Sequence, residues 1–411
     1  MRMVLVSYGS RGDVEPLVAL GLELKGHGVD VHVCAPPDFA ELLSELGMGH
    51  SPVGGSVRAL ATGAIRGTTP KPLPEIASDL TASAYESILP AAQGADLVLG
   101  TGVIPVAAAA RGVAEQLGIT FVGASLTPTF LPSPHHPPVP WPGQVIPQEV
   151  TDNRRLWELN SRHVHGIFGP PVNAHRASVG LPAVDSIRDY IHTEHPLLAS
   201  DPVVGPWLLP ADLDVVQTGA WMREDLRPLP AELEAFMAAG DPPVYVGFGS
   251  MPLPAAEPAA RVAVQAVRAL GRRVLLGSGW AGLTPIDDHD DCFVIGEVNQ
   301  QALFRRVAAV VHHGGAGTTQ TTARSGAPQV IVPQVADQSY WGQRAIDLGI
   351  GTRHEGSAPT VESLSAALEI VLTPQVASQA IAVAETVRTD GAAVAAELLL
   401  TGSFDDGPDQ F

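Results

Sequence analysis

Residues 308–325 read AAVVHHGGAGTTQTTARS, an apolar run followed by a glycine-rich turn and a helix-forming segment. The apolar run Ala308–His312 predicts a buried strand, and Gly317–Ser325 predicts a helix. Glycines between them let the backbone approach a ligand closely, and the N–H groups at the start of the helix attract an anion. The side chains of His313 and Thr318 add further donors. The stretch therefore predicts a phosphate-binding turn, which is not a Walker A loop because no lysine follows the glycines.

The same alternation of strands and helices extends towards both ends of the chain. Strands are predicted at Met3–Ser7, Asp30–Ala35, Leu97–Leu99, Thr120–Val122, Val244–Phe248, Arg273–Gly277, Cys292–Ile295 and Gln329–Val332. Helix-length segments separate these strands, and one long final helix is predicted over Gln375–Leu400. Strands separated by helices are typical of βαβ units and parallel sheets. The sequence predicts an α/β fold with two doubly wound, Rossmann-like domains that face each other across a cleft.

Composition shifts along the chain predict its domain boundaries. The predicted parts are an N-terminal domain over residues 1–202, a Pro-rich linker over 203–230, a C-terminal domain over 231–385, and a final helix and acidic tail over 386–411 that can pack back on the N-terminal domain. Two further stretches, Gly54–Pro74 and Leu126–Pro147, are too rich in glycine or proline to form one regular element. Long irregular loops in compact domains are usually functional, and a surface insert is the alternative interpretation.

Charge and cysteine content exclude several classes of protein. The 411 residues include 43 acidic and 24 basic side chains, for a net charge of −19, which argues against a protein that binds duplex nucleic acid. Only two cysteines are present, Cys34 and Cys292, so the chain has no disulfide framework and a cytoplasmic location is expected. No stretch approaches the roughly 20 apolar residues that an integral membrane helix needs.

A second polar motif, Val335-Ala336-Asp337-Gln338-Ser339, follows an apolar strand and precedes a predicted helix. A carboxylate beside an amide suits paired hydrogen bonds to neighbouring hydroxyl groups of a sugar. Asp337 also stands where a helix N-cap is expected, and the two interpretations are compatible.

These motifs together resemble the nucleotide-sugar signature of GT-B glycosyltransferases. The resemblance covers Glu297-Val298-Asn299-Gln300, the HHGGAGT turn and the PxxxDQ segment that ends at Gln338. The opening Gly9-Ser10-Arg11-Gly12-Asp13-Val14-Glu15-Pro16 and the CAPPD sequence at Cys34–Asp38 are similar to the glycopeptide-antibiotic, vancomycin-type subgroup. Sterol glucosyltransferases have a similar opening, so that motif alone does not separate the two groups.

The resemblance implies a role for each matching residue. Asp13 matches the general base, and Val298 matches the segment that reads the nucleotide base. Contacts to the donor diphosphate and sugar are implied for Ser10, Arg11, Gly12, Ser250, His313, Gly315, Ala316, Gly317, Thr318, Asp337 and Gln338. Glu297 replaces an aromatic residue that plant enzymes stack on uracil, so the base preference stays open between thymine and uracil. Trp280 is a candidate substitute, and a place in the core is its alternative.

The resemblance further implies an inverting transfer of a sugar from a dTDP- or UDP-sugar to a hydroxyl group of a glycopeptide aglycone or pseudoaglycone. We expect the enzyme to be a monomer, to need no metal or other cofactor, and to bind no nucleic acid. The alternatives are an enzyme for sterols or other lipophilic scaffolds, a non-hydrolysing epimerase, and a catalytically silent protein that binds nucleotide-sugars. We find no additional acid and base set for an epimerase, and Asp13 in its strand-to-helix turn argues against a silent protein.

The predictions for two other polar clusters and for the pKa of Asp13 are less specific. Asp287–Asp291 reads DDHDD, which is interpreted as a solvated acidic loop rather than a metal site. The pair His135-His136 lies in a Pro-rich loop. It is expected either to line the acceptor pocket or to lie on the protein surface. Asp13 is expected at the start of a helix, where the helix dipole lowers the pKa of a carboxyl group.

Overall fold

The computed structural model describes residues 1–61, 71–141, 143–250, 256–280, 287 and 289–402. Residues 62–70 of the predicted loop Gly54–Pro74, the residues directly after Ser250, Asp288 and the acidic tail from residue 403 lie outside the described residues.

The first sheet consists of seven parallel strands in the order β3-β2-β1-β4-β5-β6-β7. They are β1 (Arg2–Val6), β2 (Asp30–Ala35), β3 (Gly49–Pro52), β4 (Leu97–Gly100), β5 (Thr120–Ser125), β6 (Leu197–Leu198) and β7 (Val216–Gln217). The helices of this half are α1 (Arg11–Gly26), α2 (Ala40–Glu45), α3 (Val57–Ala61), α4 (Leu73–Ala91), α5 (Ile104–Leu117), α6 (Asn153–Ser178) and α7 (Ile187–Ile191). The central strands are buried on both faces, as their continuous apolar sequences require.

The second sheet has six parallel strands in the order β10-β9-β8-β11-β12-β13. They are β8 (Val244–Gly247), β9 (Val274–Gly277), β10 (Cys292–Ile295), β11 (Ala309–His312), β12 (Gln329–Ile331) and β13 (Gly351–Arg353). The accompanying helices are α8 (Ala231–Ala238), α9 (Ala256–Ala269), α10 (Gln300–Phe304), α11 (Ala316–Arg324), α12 (Gln338–Asp347), α13 (Val361–Val371), α14 (Pro374–Ala384) and α15 (Gly391–Thr401). The first six strands of each sheet therefore have the same spatial order, and the predicted pair of doubly wound domains is confirmed.

Each sheet is covered by helices on both faces. Buried residues of α1 and α2 form one core with the N-terminal sheet, and residues of α4 and α5 form the core on its other face. Helices α9 and α13 cover one face of the C-terminal sheet, while α8 and α10 cover the other. Residues such as Leu5, Val98, Val246 and Val311 are fully buried between these layers.

The prediction of one long helix over Gln375–Leu400 is wrong. It is divided into α14 and α15, and the chain between them is tied by a hydrogen bond from the backbone N–H of Arg388 to Asp201 Oδ2, 2.8 Å. After this break α15 leaves the C-terminal core and packs against α1, where Ala395 and Leu399 are buried in the N-terminal core. Local helix propensity could not reveal the break because it is imposed by packing on two different domains.

The Pro-rich stretch between the domains also contains regular structure. Strand β7 adds the seventh strand to the N-terminal sheet, and Val204 is buried in the C-terminal core beside Trp341. Arg344 donates hydrogen bonds to the carbonyl oxygens of Val203 and Val204, 3.0 and 3.1 Å. The stretch is thus held by both domains.

Among the helices described, none is by itself long and apolar enough to cross a bilayer. Helices α13 and α14 reach the required length and composition only when taken together, and they are bent by 64° at the break between them.

Candidate active site

The topology places the candidate residues at corresponding points of the two sheets. In doubly wound sheets the ligand crevice lies at the carboxyl ends of the strands, where the strand order reverses. These points are β1 beside β4 in the first sheet and β8 beside β11 in the second. Asp13 follows β1, Ser250 follows β8 and His313 follows β11. Three candidates from distant parts of the sequence are therefore brought to two switch points.

The predicted phosphate turn has the geometry of an anion site. Gly314 adopts a φ of +90°, which side-chain-bearing residues rarely adopt. The first helical hydrogen bond of α11 runs from Thr319 N–H to the carbonyl oxygen of Gly315, 2.9 Å. The backbone N–H groups of Ala316, Gly317 and Thr318 therefore precede the hydrogen-bonded ladder and belong to the open end of the helix. A Cβ at Gly317 would meet no protein atom within 4 Å, so a ligand has room to approach there.

His313 lies beside this helix start, in a space made by two glycines. A Cβ on Gly249 would lie 3.2 Å from His313 Cε1, and one on Gly315 would lie 2.6 Å from His313 Nε2. Burial lowers the pKa of His313 to about 4, so its imidazole is neutral at pH 7. Its Nδ1 is buried without a partner among the described residues. The ring can therefore act as a neutral hydrogen-bonding group towards an anion.

Asp13 occupies the third helical position of α1, with Ser10 as the N-cap. Its Oδ2 accepts a hydrogen bond from the backbone N–H of Ser10, 2.8 Å. Any Cβ at Gly9 would collide with the Asp13 carboxylate, so the glycine makes room for this arrangement. Gly9 belongs to the opening motif, and its role follows from the packing of the Asp13 side chain.

The expected lowering of the Asp13 pKa is wrong. Burial raises it to about 6, and this effect exceeds the stabilisation by the Ser10 N–H group. Repulsion from Asp337, across the cleft, raises it further. A carboxyl group with a pKa near 6 is still mostly ionised at pH 7, and it is a stronger base than an ordinary aspartate.

Asp337 is the N-cap residue of α12 and faces the same cleft as Asp13. Its Oδ2 accepts a hydrogen bond from Trp341 Nε1, 2.7 Å, and burial raises the pKa of its carboxyl group. A hydrogen bond from Thr127 partly offsets the effect of burial, and Thr127 belongs to the N-terminal half. Ala336 has a φ of +55°, an uncommon value for alanine that turns the chain just before Asp337.

Three other predicted residues have different surroundings. The amide oxygen of Gln338 accepts hydrogen bonds from the backbone N–H groups of Gln334, 2.6 Å, and Val335, 3.0 Å, so it braces the turn itself. Ser250 is partly exposed at the end of β8, next to the turn where Trp280 N–H donates to the Gly249 carbonyl oxygen, 2.9 Å. Val298 is partly buried and packs on the core beneath β10.

Arg11 takes part in an ion-pair network that crosses the cleft. Its guanidinium group contacts Glu15 on the same helix, 3.0 Å, and Glu297 of the C-terminal half, 2.7 Å. Glu15 also binds Arg223, 3.1 Å, in the connecting segment. The sequence indicated the positions of Arg11 and Glu297 in two separate motifs, but it contained no signal that the two side chains meet.

Asn299 and Gln301 hold the connecting segment against the C-terminal domain. Asn299 caps α10 and donates from Nδ2 to the carbonyl oxygens of Asp225, 2.6 Å, and Arg227, 2.9 Å. Gln301 Nε2 donates to the carbonyl oxygen of Arg223, 2.8 Å. The sequence predicts neither this capping role nor the long-range partners.

Two carboxylates of the acidic loop pair with a single arginine. Asp287 and Asp291 both bind Arg268, with N–O distances of 2.6 and 2.5 Å, and His289 contacts Asp287. Across the ranges that the structure describes, no three histidine, cysteine or acidic side chains are grouped as metal ligands require. These contacts favour the interpretation of DDHDD as a surface loop.

The histidine pair of the Pro-rich loop divides between two environments. His135 Nε2 contacts the carbonyl oxygen of Pro210, 2.8 Å, whereas the His136 ring lies among Trp157, Trp207 and Tyr340 with centroid distances of 5.8–6.5 Å. Tyr340 belongs to α12, so His136 lies where the two halves of the chain meet. Asn153 Nδ2 holds the same loop through the carbonyl oxygen of Pro134, 2.8 Å.

Sequence comparisons assign both halves of the chain to glycosyltransferases. Residues 3–132 match the glycosyltransferase family 28 N-terminal domain, and residues 289–397 match the erythromycin biosynthesis protein CIII-like C-terminal domain. Glycosyltransferase GtfE of Amycolatopsis orientalis is 50% identical over 408 residues, which cover 99% of each chain. From the same organism, the vancomycin aglycone glucosyltransferase is 50% identical over 97% of each chain, and the dTDP-epi-vancosaminyltransferase is 46% identical over 92% of each.

Solved structures share the fold at lower identity. The glycosyltransferase of kitacinnamycin aligns with a TM-score of 0.71 and 20% identity, over 97% of this chain and 98% of that one. SsfS6 from Streptomyces sp. SF2575, complexed with thymidine diphosphate, aligns with a TM-score of 0.63 and 20% identity, over 98% and 99%. The identity over the full chain and the two facing parallel sheets lead to one conclusion: this chain is a GT-B glycosyltransferase and belongs to the glycopeptide-antibiotic glycosyltransferase family.

Proposed function

We propose that this enzyme transfers a sugar, with inversion at the anomeric carbon, from a dTDP- or UDP-sugar to a hydroxyl group of a glycopeptide aglycone or pseudoaglycone. The observation that carries the proposal is that two unlike groups border one cleft: Asp13 is repelled by Asp337, and a Cβ on Gly314 of the phosphate turn would lie 3.0 Å from the carbonyl oxygen of the adjacent Gln338. Asp13 supplies a carboxylate whose pKa is about 6, and the start of α11 supplies open N–H groups beside a neutral His313.

The reaction can be written with each atom accounted for. The acceptor oxygen attacks the anomeric carbon from the face opposite the diphosphate, and the bond from that carbon to the diphosphate oxygen breaks. Its electron pair leaves with the nucleoside diphosphate, while the acceptor proton passes to the Asp13 carboxylate and then to solvent. In this scheme the raised pKa of Asp13 improves proton acceptance at neutral pH.

The donor groups of α11 would stabilise the charge that develops on the leaving diphosphate. We assign this contact to the backbone at Gly315, Ala316, Gly317 and Thr318, with His313, Ser10, Arg11, Gly12 and Ser250 around it. Gly317 supports the assignment because protein packing does not explain a glycine there. The chemistry assigned to these groups calls for no metal ion or other cofactor.

Asp337 and Gln338 are proposed at the donor sugar. Asp337 presents a carboxylate to the cleft from the first turn of α12, and Gln338 fixes the loop that carries it. Val298 is proposed to contact the nucleotide base. The thymidine nucleotides named for the dTDP-epi-vancosaminyltransferase and for the SsfS6 complex favour thymine over uracil.

The acceptor class is proposed from the vancomycin aglycone glucosyltransferase, with which this chain shares half of its residues. Because both switch points come from a single chain, we propose that a monomer is the working unit. Free cysteines at Cys34 and Cys292 are consistent with a reaction in the reducing cytoplasm.

The decisive experiment measures donor consumption with and without a glycopeptide aglycone, for dTDP-glucose and UDP-glucose, before and after treatment with EDTA. We expect aglycone-dependent release of the nucleoside diphosphate that survives chelation, and a β-linked product from an α-linked donor. Turnover of a sterol but not of the aglycone would overturn the acceptor assignment. Loss of activity in EDTA that manganese restores would overturn the metal-free assignment.

A further inference from the structure

A buried glutamine lies directly behind the phosphate turn. Gln329 begins β12, next to β11 in the sheet, and its side chain is fully buried. Its Oε1 contacts His312 Nε2 at 2.9 Å, and His312 is also fully buried. A Cβ on Gly351 would collide with the Gln329 carbonyl oxygen and lie 2.8 Å from Gln329 Cγ, so the neighbouring strand packs closely against this residue.

The contacts of His312 define its tautomer. Its Nδ1 accepts a hydrogen bond from the backbone N–H of Gly314, 3.1 Å, so Nδ1 carries no proton. The proton of the neutral ring is therefore on Nε2, which donates it to Gln329 Oε1. Burial lowers the pKa of His312 to about 3, which keeps the ring neutral throughout the working pH range.

We propose that Gln329 is a positioning residue for donor binding, because its amide oxygen fixes the His312 tautomer and the ring in turn holds Gly314 in the phosphate turn. The proposal rests on the proposed function for its link to the donor. Without the acceptor at Oε1, the Nε2 proton is left buried and unpaired. If the proton instead moves to Nδ1, it faces the N–H group of Gly314, and the turn loses its anchor.

The composition of the strand supports this role over a packing role. Gln329 is followed by the apolar residues Val330 and Ile331, and an apolar side chain would suit the same buried strand. Its Nε2 has no partner among the described residues, so burial of this amide is costly. The contact between the Gln329 amide oxygen and His312 explains why a glutamine stands at this buried position.

The test compares Gln329→Leu with the wild-type enzyme in titrations with thymidine diphosphate and in steady-state kinetics. We expect the dissociation constant for thymidine diphosphate and the KM for the donor to rise about 10-fold, because the turn is no longer preorganised. Turnover at saturating donor should change less than about 3-fold, since Asp13 is untouched. Selective ¹⁵N-histidine NMR should show the Nε2–H tautomer of His312 in the wild type and its loss in the variant.

Gln320→Leu is the matched control. Gln320 is a buried glutamine of α11 whose Oε1 accepts from the backbone N–H of Asp201, 2.8 Å, away from the turn. It should lose stability while donor KM and the His312 signal stay as in the wild type. Gln329→Glu in its neutral form keeps an acceptor oxygen, and it should restore donor affinity and the tautomer even if Gln329→Leu folds poorly.

An Nδ1–H tautomer in the wild type, or wild-type affinity in folded Gln329→Leu, overturns the positioning role. An equal rise in donor KM in Gln320→Leu also overturns it, because stability alone would then explain the effect. If the wild-type protein binds no thymidine or uridine diphosphate, the proposed function fails separately, and the NMR measurement still decides the contact between Gln329 and His312.

Discussion

The two switch points of this enzyme have the same strand order, but the first carries an anionic side chain and the second offers hydrogen-bond donors to an anion. After β1, Gly9 leaves room for Asp13 to bind the Ser10 N–H group, so a carboxylate occupies the helix start. After β11 no acidic side chain precedes α11, and the N–H groups at its first turn stay open beside His313. Strand order fixes where each site lies, whereas the residues of the turn decide whether it holds a base or an anion.

The comparison also explains the direction of the Asp13 pKa. A helix start ordinarily stabilises a carboxylate, and the Ser10 hydrogen bond acts in that direction. Burial and the opposing Asp337 act against it and raise the pKa to about 6. The same burial lowers the pKa of His313 to about 4 at the other switch point. At pH 7 one site therefore holds a charged base, and the other a neutral hydrogen-bonding ring.

Removing the base from the first switch point should have the largest effect. We expect Asp13→Asn to lose at least about 100-fold in turnover, because asparagine is a very poor proton acceptor. Its amide oxygen can still accept the Ser10 N–H hydrogen bond, so the melting temperature and donor affinity should stay near the wild-type values. Near-normal turnover in a folded variant would remove Asp13 as the base and direct attention to His135 and His136.

Weakening the second switch point should change binding more than chemistry. His313→Ala removes one polar group at the diphosphate, and a hydrogen bond to a charged group corresponds to roughly a 10- to 100-fold change in the dissociation constant. Calorimetry with thymidine diphosphate measures this change directly. Unchanged affinity in a folded variant would contradict the assignment of His313.

The pH profile should separate the two sites. Asp13 acts as a base only when ionised, so kcat/KM should fall about tenfold per pH unit as pH drops below about 6. His313, with a pKa of about 4, stays neutral through that range and should contribute no limb there. The decrease in kcat/KM at acidic pH should be absent from the residual activity of Asp13→Asn. A limb retained in that variant would assign the titration to another group.

Loosening the cross-cleft contact between Arg11 and Glu297 should have the smallest effect. Glu297→Gln removes the cross-cleft ion pair with Arg11, whose partners are partly exposed. Such pairs contribute about 0.2–1 kcal/mol, so kcat/KM should fall about 1.5- to 5-fold at low salt and less at high salt. Glu234→Gln is the matched control, because its ion pair with Arg306, 2.7 Å, is similarly exposed but lies within one domain. An equal, salt-dependent loss in both variants would show that the position of the Arg11–Glu297 pair across the cleft has no special role.

Local patterns predicted the long strands and the phosphate turn well. The apolar run before His313 and the glycines after it are sufficient because strand burial and helix initiation depend on neighbouring residues. The two-residue strands β6 and β7 were not predicted, since β6 pairs with β5 and β7 pairs with β6, and two residues are too few to indicate this pairing. The break before α15 was not predicted for a similar reason, because it is imposed by long-range contacts such as that of Arg388 with Asp201.

The candidate site divides in the same way. Asp13, His313 and Asp337 were found because each follows a strand and begins a helix, a pattern that is visible in one short segment. Their ionisation was not predictable, since the pKa of a carboxyl group or an imidazole depends on what surrounds it in three dimensions. The bond between Gln329 and His312 joins residues 17 apart on adjacent strands, and no local motif indicates it.

The α/β class, the pair of doubly wound domains and the residues at each strand-to-helix turn follow from the sequence alone, because they depend on periodicity and turn chemistry within short windows. The contact between Arg11 and Glu297, and the approach of Asp337 to Asp13 across the cleft, are visible only in the folded structure. Contacts of this kind join segments that are distant in the sequence. Their strength depends on burial and distance, which exist only once the two domains have packed together.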